Sequence, residues 1–172
     1  LLDDNGSHVY PELMSPGTQI GLIDIGFRTT DYVVVEMKQG GTFVPKVELS
    51  GTIDVGVVEL HRMARQFYKQ MTGGADLEDF YVERIIRDGK ISYKGKPILF
   101  HNHLQAGTKS ISANIADRLK TVWGPAMDLF DAILLCGGGG ELFHHTLQPH
   151  FDQRLNRVPN SQFANVIGYM KL

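Results

Sequence analysis

Several things are scarce in this sequence, and each scarcity excludes something. A single cysteine, Cys136, among 172 residues leaves no partner for an internal disulfide and suits a reducing, cytoplasmic setting. No apolar run approaches the roughly 20 residues needed to span a bilayer, and no signal peptide is visible, so no membrane partner is expected. Net charge is only -2, from 17 Lys and Arg against 19 Asp and Glu. That balance provides no basic surface for direct nucleic-acid binding. What remains is the composition of a soluble globular domain, or two small lobes, with 42% hydrophobic and 21% charged residues. The chain opens on Leu1-Leu2-Asp3 without Met, which reads as a start inside a longer protein.

Residues 1–18 read as a connector, rich in turn formers and interrupted by Pro11, Pro16 and Gly17. Two short β-branched strands follow around Asp24-Ile25-Gly26-Phe27-Arg28-Thr29-Thr30-Asp31, with polar residues confined to the bend. A glycine turn flanked by two carboxylates and two hydroxyls suits a phosphate chain and its Mg²⁺: backbone N–H and Thr hydroxyl groups meet phosphate oxygens, and carboxylates hold a hydrated metal. An ordinary hairpin with a polar tip fits the same residues equally well. Residues 42–49 form a third strand, in which Pro45 predicts an edge position or a bulge.

The periodicity then changes. Ile53, Val57, Leu60, Ala64, Phe67 and Met71 recur at helical spacing, with Thr52 or Asp54 as cap and Gly73-Gly74 as terminator. His61, Arg62, Arg65 and Lys69 fall off that stripe, on a solvated face. Residues 75–101 read as a small lobe: a short helix carrying Phe80, Tyr81, Ile85 and Ile86, then a hairpin turning at Lys94-Gly95-Lys96. Glu83 and Arg87, four apart, predict a surface ion pair. His101 and His103 would share a face if extended, and His144, His145 and His150 cluster in sequence, but neither group has the further ligands of a zinc site.

A second long helix is predicted over residues 104–122. After it, a buried parallel-type strand leads through Cys136 into Gly137, Gly138, Gly139 and Gly140 and a helix start at Glu141 and Leu142. Four glycines allow close backbone approach to a ligand, and a helix N-terminus favours anions; a flexible turn is the competing reading. Neither a P-loop nor a dinucleotide fingerprint is present. Cys136 reads as a small core residue, not a nucleophile. A short strand over residues 153–158 and a last helix over 162–171, capped by Asn160 or Ser161 and interrupted by Gly168, close the chain.

The Asp24-x-Gly-x-x-Thr-x-Asp31 hairpin, the strand ending in four glycines and the terminal Ala164-Asn165-x-x-Gly168 helix, in that order, resemble the actin-like ATPases. The match is nearer still to the bacterial and archaeal actin homologues, especially the plasmid-partition (ParM-like) group. The resemblance implies an α/β fold of the ribonuclease H-like (actin-like ATPase) type: a mixed sheet flanked by helices, with a small α+β insertion. It implies that residues 19–172 form the second lobe, that 75–101 are its outer subdomain, and that 1–18 connect to an absent N-terminal lobe.

By residue, it implies that Asp24 binds Mg²⁺ through water or orients the attacking water, with Asp31 as a second acidic group. It implies that Gly26, Phe27, Arg28, Thr29 and Thr30 hold phosphate, and that Gly137, Gly138, Gly139, Gly140, Glu141 and Leu142 pack on the adenosine. Arg84 and Arg87 of the insertion are weaker candidates beside the base or ribose. Phe27 and Arg28 depart from the small residues usual in the chaperone branch. The implied cofactors are ATP or GTP with Mg²⁺, and the implied activity is ATP hydrolysis by the full-length protein, with this fragment alone inactive or nearly so. The implied partners are further copies in a filament and an adaptor protein, for plasmid segregation or cytoskeletal organisation. The alternatives are a sugar- or acetate-kinase relative and a non-hydrolysing nucleotide-binding scaffold.

Overall fold

A computed structural model describes residues 10–152 and 154–159. Among the described residues, seven strands and four α-helices form a five-stranded mixed sheet, a two-stranded hairpin and the helices that cover them. The strands β1 (Gln19–Ile25), β2 (Thr30–Met37) and β3 (Phe43–Ile53) make an antiparallel meander, as their short connections require. β6 (Ala132–Cys136) lies parallel to β1, and β7 (Leu155–Arg157) parallel to β6, giving the order β3-β2-β1-β6-β7. β6 is buried along its whole length, which accounts for its uninterrupted apolar sequence.

β3 occupies the sheet edge, and its register with β2 shifts between Tyr32 and Val34, near the rung where Pro45 faces Val35. Of the two alternatives for Pro45, the edge position holds, because at an edge the N–H that proline lacks need not be supplied to a neighbour; the register shift falls between Lys46 and Gly51. β3 runs on to Ile53, so helix α1 (Val57–Thr72) begins four residues later than the apolar stripe suggests. Neither Thr52 nor Asp54 caps it. The N-cap is Gly56, and the first helical N–H groups find carbonyl partners in the β1–β2 turn instead. Gly73 ends α1 at φ 72°, the left-handed conformation glycine adopts without penalty.

Between α1 and the second long helix lies the 75–101 segment: α2 (Asp79–Asp88), β4 (Lys90–Tyr93) and β5 (Lys96–Leu99). Lys94 and Gly95 both have positive φ, as a two-residue hairpin turn demands. Leu77, Val82, Ile85, Ile98 and Phe100 pack with Ala64 and Tyr68 of α1 into a small core of their own. Of the residues the short helix carries, Phe80 and Tyr81 are exposed, while Val82 and Ile85 are buried. Arg87 bonds Asp88, not Glu83.

α3 (His101–Trp123) starts three residues earlier than its apolar spacing indicates, taking in both histidines. The His103 ring stacks on Phe67, and His101 lies against Gly89. Among the described residues no group of three or more His, Cys, Asp or Glu side chains could hold a metal ion. The main core lies between one sheet face and the helices. Ile23, Ile25, Val34, Ile133 and Leu135 meet Leu60 of α1, Ile111, Ile115, Leu119 and Trp123 of α3, and Phe143 and Leu147 of α4 (Gly140–Leu147). Each such side chain contributes on the order of 1.5–3 kcal/mol when taken from water. The Trp123 indole N–H donates to the Leu49 carbonyl, which binds the end of α3 to the edge strand.

On the other sheet face, Ile20, Ala132, Leu134 and Cys136 pack with Leu13 and Val158. Leu13 comes from a single 3-10 turn, Pro11–Met14, so part of the expected connector is folded onto the sheet. The proposed terminal helix over 162–171 and its caps lie outside the described residues. No described helix is long and apolar enough to cross a membrane.

Candidate functional site

The candidate residues converge at the C-terminal ends of the two central parallel strands, β1 and β6, the place where open α/β sheets generally receive ligands. Asp24, one residue before the end of β1, is in register with Cys136 on β6 and with Asp31 on β2. Asp31 is in turn in register with Thr52 on β3, and the Thr52 hydroxyl donates to its carboxylate at 2.5 Å. Residues paired in this way share a face of the sheet. Ile23 and Ile25 point into the main core, so the row Cys136–Asp24–Asp31–Thr52 lies on the opposite face. Thr52 escaped the sequence reading because its position just before an apolar helical stripe suggested a cap.

Two elements grip the β1–β2 turn. On one side, Val57 and Val58 of α1 donate their N–H groups to the carbonyls of Gly26 and Phe27, at 3.2 and 2.8 Å. A Cβ on Gly56 would stand 2.7 Å from the Phe27 oxygen, so only glycine permits this approach. On the other side, the Gly139 N–H donates to the Ile25 carbonyl at 2.8 Å. Gly137 has φ +82°, and a Cβ there would lie 2.2 Å from an Asp24 carboxylate oxygen. The glycine run is thus needed first to bring the β6–α4 turn against Asp24.

The expected contacts divide accordingly. Gly26 directs its N–H to the Thr29 carbonyl at 2.9 Å, closing the turn. Thr30 alternates to the core face, fully buried, and its hydroxyl donates to the Val55 carbonyl at 2.8 Å. Both were expected to face phosphate and are instead committed to the fold. Phe27 and Arg28 stand exposed at the tip with Thr29 half-buried beside them. Of the adenosine candidates, Gly137, Gly139 and Gly140 are buried in the turn, Gly138 and Glu141 reach the surface, and Leu142 packs partly on the main core. Glu141 also lies 3.6 Å from Arg157. Arg84 lines a cavity with Tyr68, Tyr81, Asp88 and Lys90 and pairs with Asp88.

Burial, and secondarily the nearby Asp24 charge, push the Cys136 thiol up to about 12, so it is a neutral side chain and not a nucleophile. His61 is buried, not solvated, and meets Phe27 edge to face. Burial holds its pKa below the ordinary value, with Glu83 opposing and Arg65 adding to the effect.

A mixed sheet in this order, with its polar row at the parallel strand ends and the helix and hairpin of residues 79–99 beside it, defines an actin-like lobe. The fold superposes on a non-polymerisable quadruple mutant of pCBH ParM with a TM-score of 0.89 and 29% identity, covering 98% of this chain and 50% of that one. A 15-stranded ParM filament from Clostridium botulinum gives 0.87 and 30%, over 95% of this chain and 47% of that one. The archaeal actin homologue Ta0583, in complex with ADP, gives 0.80 and 20%, over 92% and 50%. The chain therefore spans about half the length of these structures. Residues 22–149 match the C-terminal model of the archaeal actin homologue MreB-like family, and the chain belongs to that family. No curated protein matches the sequence.

Proposed function

We propose that this chain is the nucleotide-holding lobe of an actin-like ATPase that polymerises into filaments. The observation that carries the reading is the turn at Phe27, Arg28 and Thr29, clamped between α1 and the β6–α4 turn, with Asp24 and Asp31 in register behind it. A turn fixed from both sides presents its backbone to a phosphate chain without reorganising when the ligand arrives. The solved relatives support this: the archaeal homologue was captured with ADP and a Bacillus thuringiensis ParM with ATP.

Phe27 and Arg28 would offer backbone N–H groups to phosphate, and Thr29 its hydroxyl. Gly138, Glu141 and Leu142 would face the nucleoside. Two carboxylates, with no third donor of their kind beside them among the described residues, fit Mg²⁺ held largely by water and phosphate oxygens, as this cation prefers. Asp24 would take a water of that shell and Asp31 the neighbouring water. Bound in this way, the metal would neutralise charge on the phosphates, while the protein's own part in catalysis is positioning and electrostatics. Hydrolysis requires the N-terminal lobe as well, and residues 75–101 act as the outer subdomain of this lobe. Likeness to a ParM filament supports self-association, and DNA segregation through an adaptor is the work we assign to it.

The test is ATP turnover and sedimentation of the full-length protein as wild type, Asp24→Ala and Asp31→Ala. Mg-ATP-dependent pelleting by the wild type, and turnover reduced at least tenfold in Asp24→Ala, are expected from loss of a charged group at the reacting phosphate. Wild-type turnover in both variants would sink the assignment.

A further inference from the structure

The residue at the tip of the turn is held by a part of the molecule outside the row of carboxylates. Phe27 is 54% exposed and His61 only 8%, yet their rings meet at 5.0 Å between centroids with planes at 90°. Phe27 is thus an exposed aromatic propped from behind by a buried one. Its carbonyl accepts the Val58 N–H of α1, and His61 stands three residues further along the same helix. Backbone and side chain of the tip residue are therefore both anchored to one face of α1. Removing the ring contact leaves Phe27 free to rotate about its remaining backbone tie.

Two charged groups also act on His61. The charged groups acting on it are Glu83, from α2 in the inserted lobe, and Arg65, one turn on along α1. Burial favours the uncharged imidazole, which suits packing of its edge against a phenyl ring. The histidine thus touches the turn and feels a charge from the 75–101 segment.

We infer that His61 is a positioning residue for the nucleotide: through Phe27 it fixes the backbone of the turn that meets the phosphate chain. The inference rests on the nucleotide reading given above and adds to it a residue outside the carboxylate row and the glycine turn. The contact is edge to face, so an aromatic ring of similar size at position 61 keeps it and a methyl group does not.

Binding of a fluorescent ATP analogue to the full-length protein tests this, with wild type, His61→Ala, His61→Phe, Phe27→Ala and the double variant His61→Ala/Phe27→Ala. The expected result is affinity about 3–10-fold weaker in His61→Ala, the range that loss of one aromatic pair produces. His61→Phe restores it, and Phe27→Ala weakens binding to the same degree. The double variant is no weaker than Phe27→Ala alone, because both changes remove one interaction. Phe27 is exposed, so its truncation leaves the fold intact should His61→Ala unfold. Wild-type affinity in His61→Ala or in Phe27→Ala overturns the inference, as does additivity in the double variant or failure of His61→Phe to restore binding. Absence of binding by the wild type overturns the nucleotide reading and this inference with it, whereas tight wild-type binding unmoved by His61→Ala overturns this inference alone.

Discussion

Gly137→Ala puts the geometry of the site to its most direct test. Two costs add. Gly137 has φ +82°, and an alanine in that left-handed conformation costs roughly 1–2 kcal/mol. The new methyl group would also lie 2.2 Å from an Asp24 carboxylate oxygen and 2.5 Å from the Ile25 carbonyl oxygen, where ordinary contact begins at 3.4 Å. Relieving an overlap of about 1 Å in packed surroundings costs a further ~1–3 kcal/mol. The retreating turn also strains the Gly139 N–H bond to Ile25. The expected total is roughly 2–5 kcal/mol, a Tm fall of about 4–20 °C for a chain of this size. Gly73→Ala is the reference, since Gly73 has φ +72° and would place its methyl group with nothing within 4 Å. It carries the conformational cost alone. Urea unfolding of the two variants separates the terms, with unchanged m-values as the sign that only stability moved. If Gly137→Ala costs no more than Gly73→Ala, the close seating of the glycine turn on Asp24 is refuted.

Three further outcomes follow from particular side chains. Thr30→Val strands the Val55 carbonyl in the core and should cost about 1–3 kcal/mol in denaturant unfolding while nucleotide affinity stays near wild type, whereas Thr29→Val should lower affinity with little change in stability. Cys136, with its thiol raised to about 12 and buried, should resist alkylation in the folded protein at pH 8 and react on unfolding, as read by mass spectrometry; rapid labelling of the folded chain would contradict its placement. The folded chain holds His61 below its ordinary pKa of 6.5, so the unfolded chain binds the proton more readily. Stability should therefore decline as pH falls through 6.5 toward the lower folded value, and His61→Phe should flatten that part of the profile, with Glu83 and Arg65 as the charges that modulate it.

Much of the site was legible from residue order. Asp24 and Asp31 flank a short turn between two strands, and a hairpin of that length forces them into register, so their pairing followed from spacing alone. The helical spacing of α1 and α3, the buried strand β6 and the Lys94-Gly95 turn likewise express local periodicity and backbone preference. Thr30 marks where this reasoning failed. A hydroxyl in a polar turn looks available, and only the alternation of β2 against the core sends it to Val55. Gly26 fails in the same way, its N–H closing the turn.

Sequence by itself determined most of the described elements, the family resemblance and the two stretches that make up the candidate site, because these depend on local spacing and on backbone freedom at glycine. Tertiary structure alone decided which candidates remain open to a ligand. It brought Gly137 against Asp24, Thr52 to Asp31, and His61 beneath Phe27, across separations of 113, 21 and 34 residues in the chain. Contacts of that kind are fixed by which faces the sheet and helices bury together, and no local pattern records them.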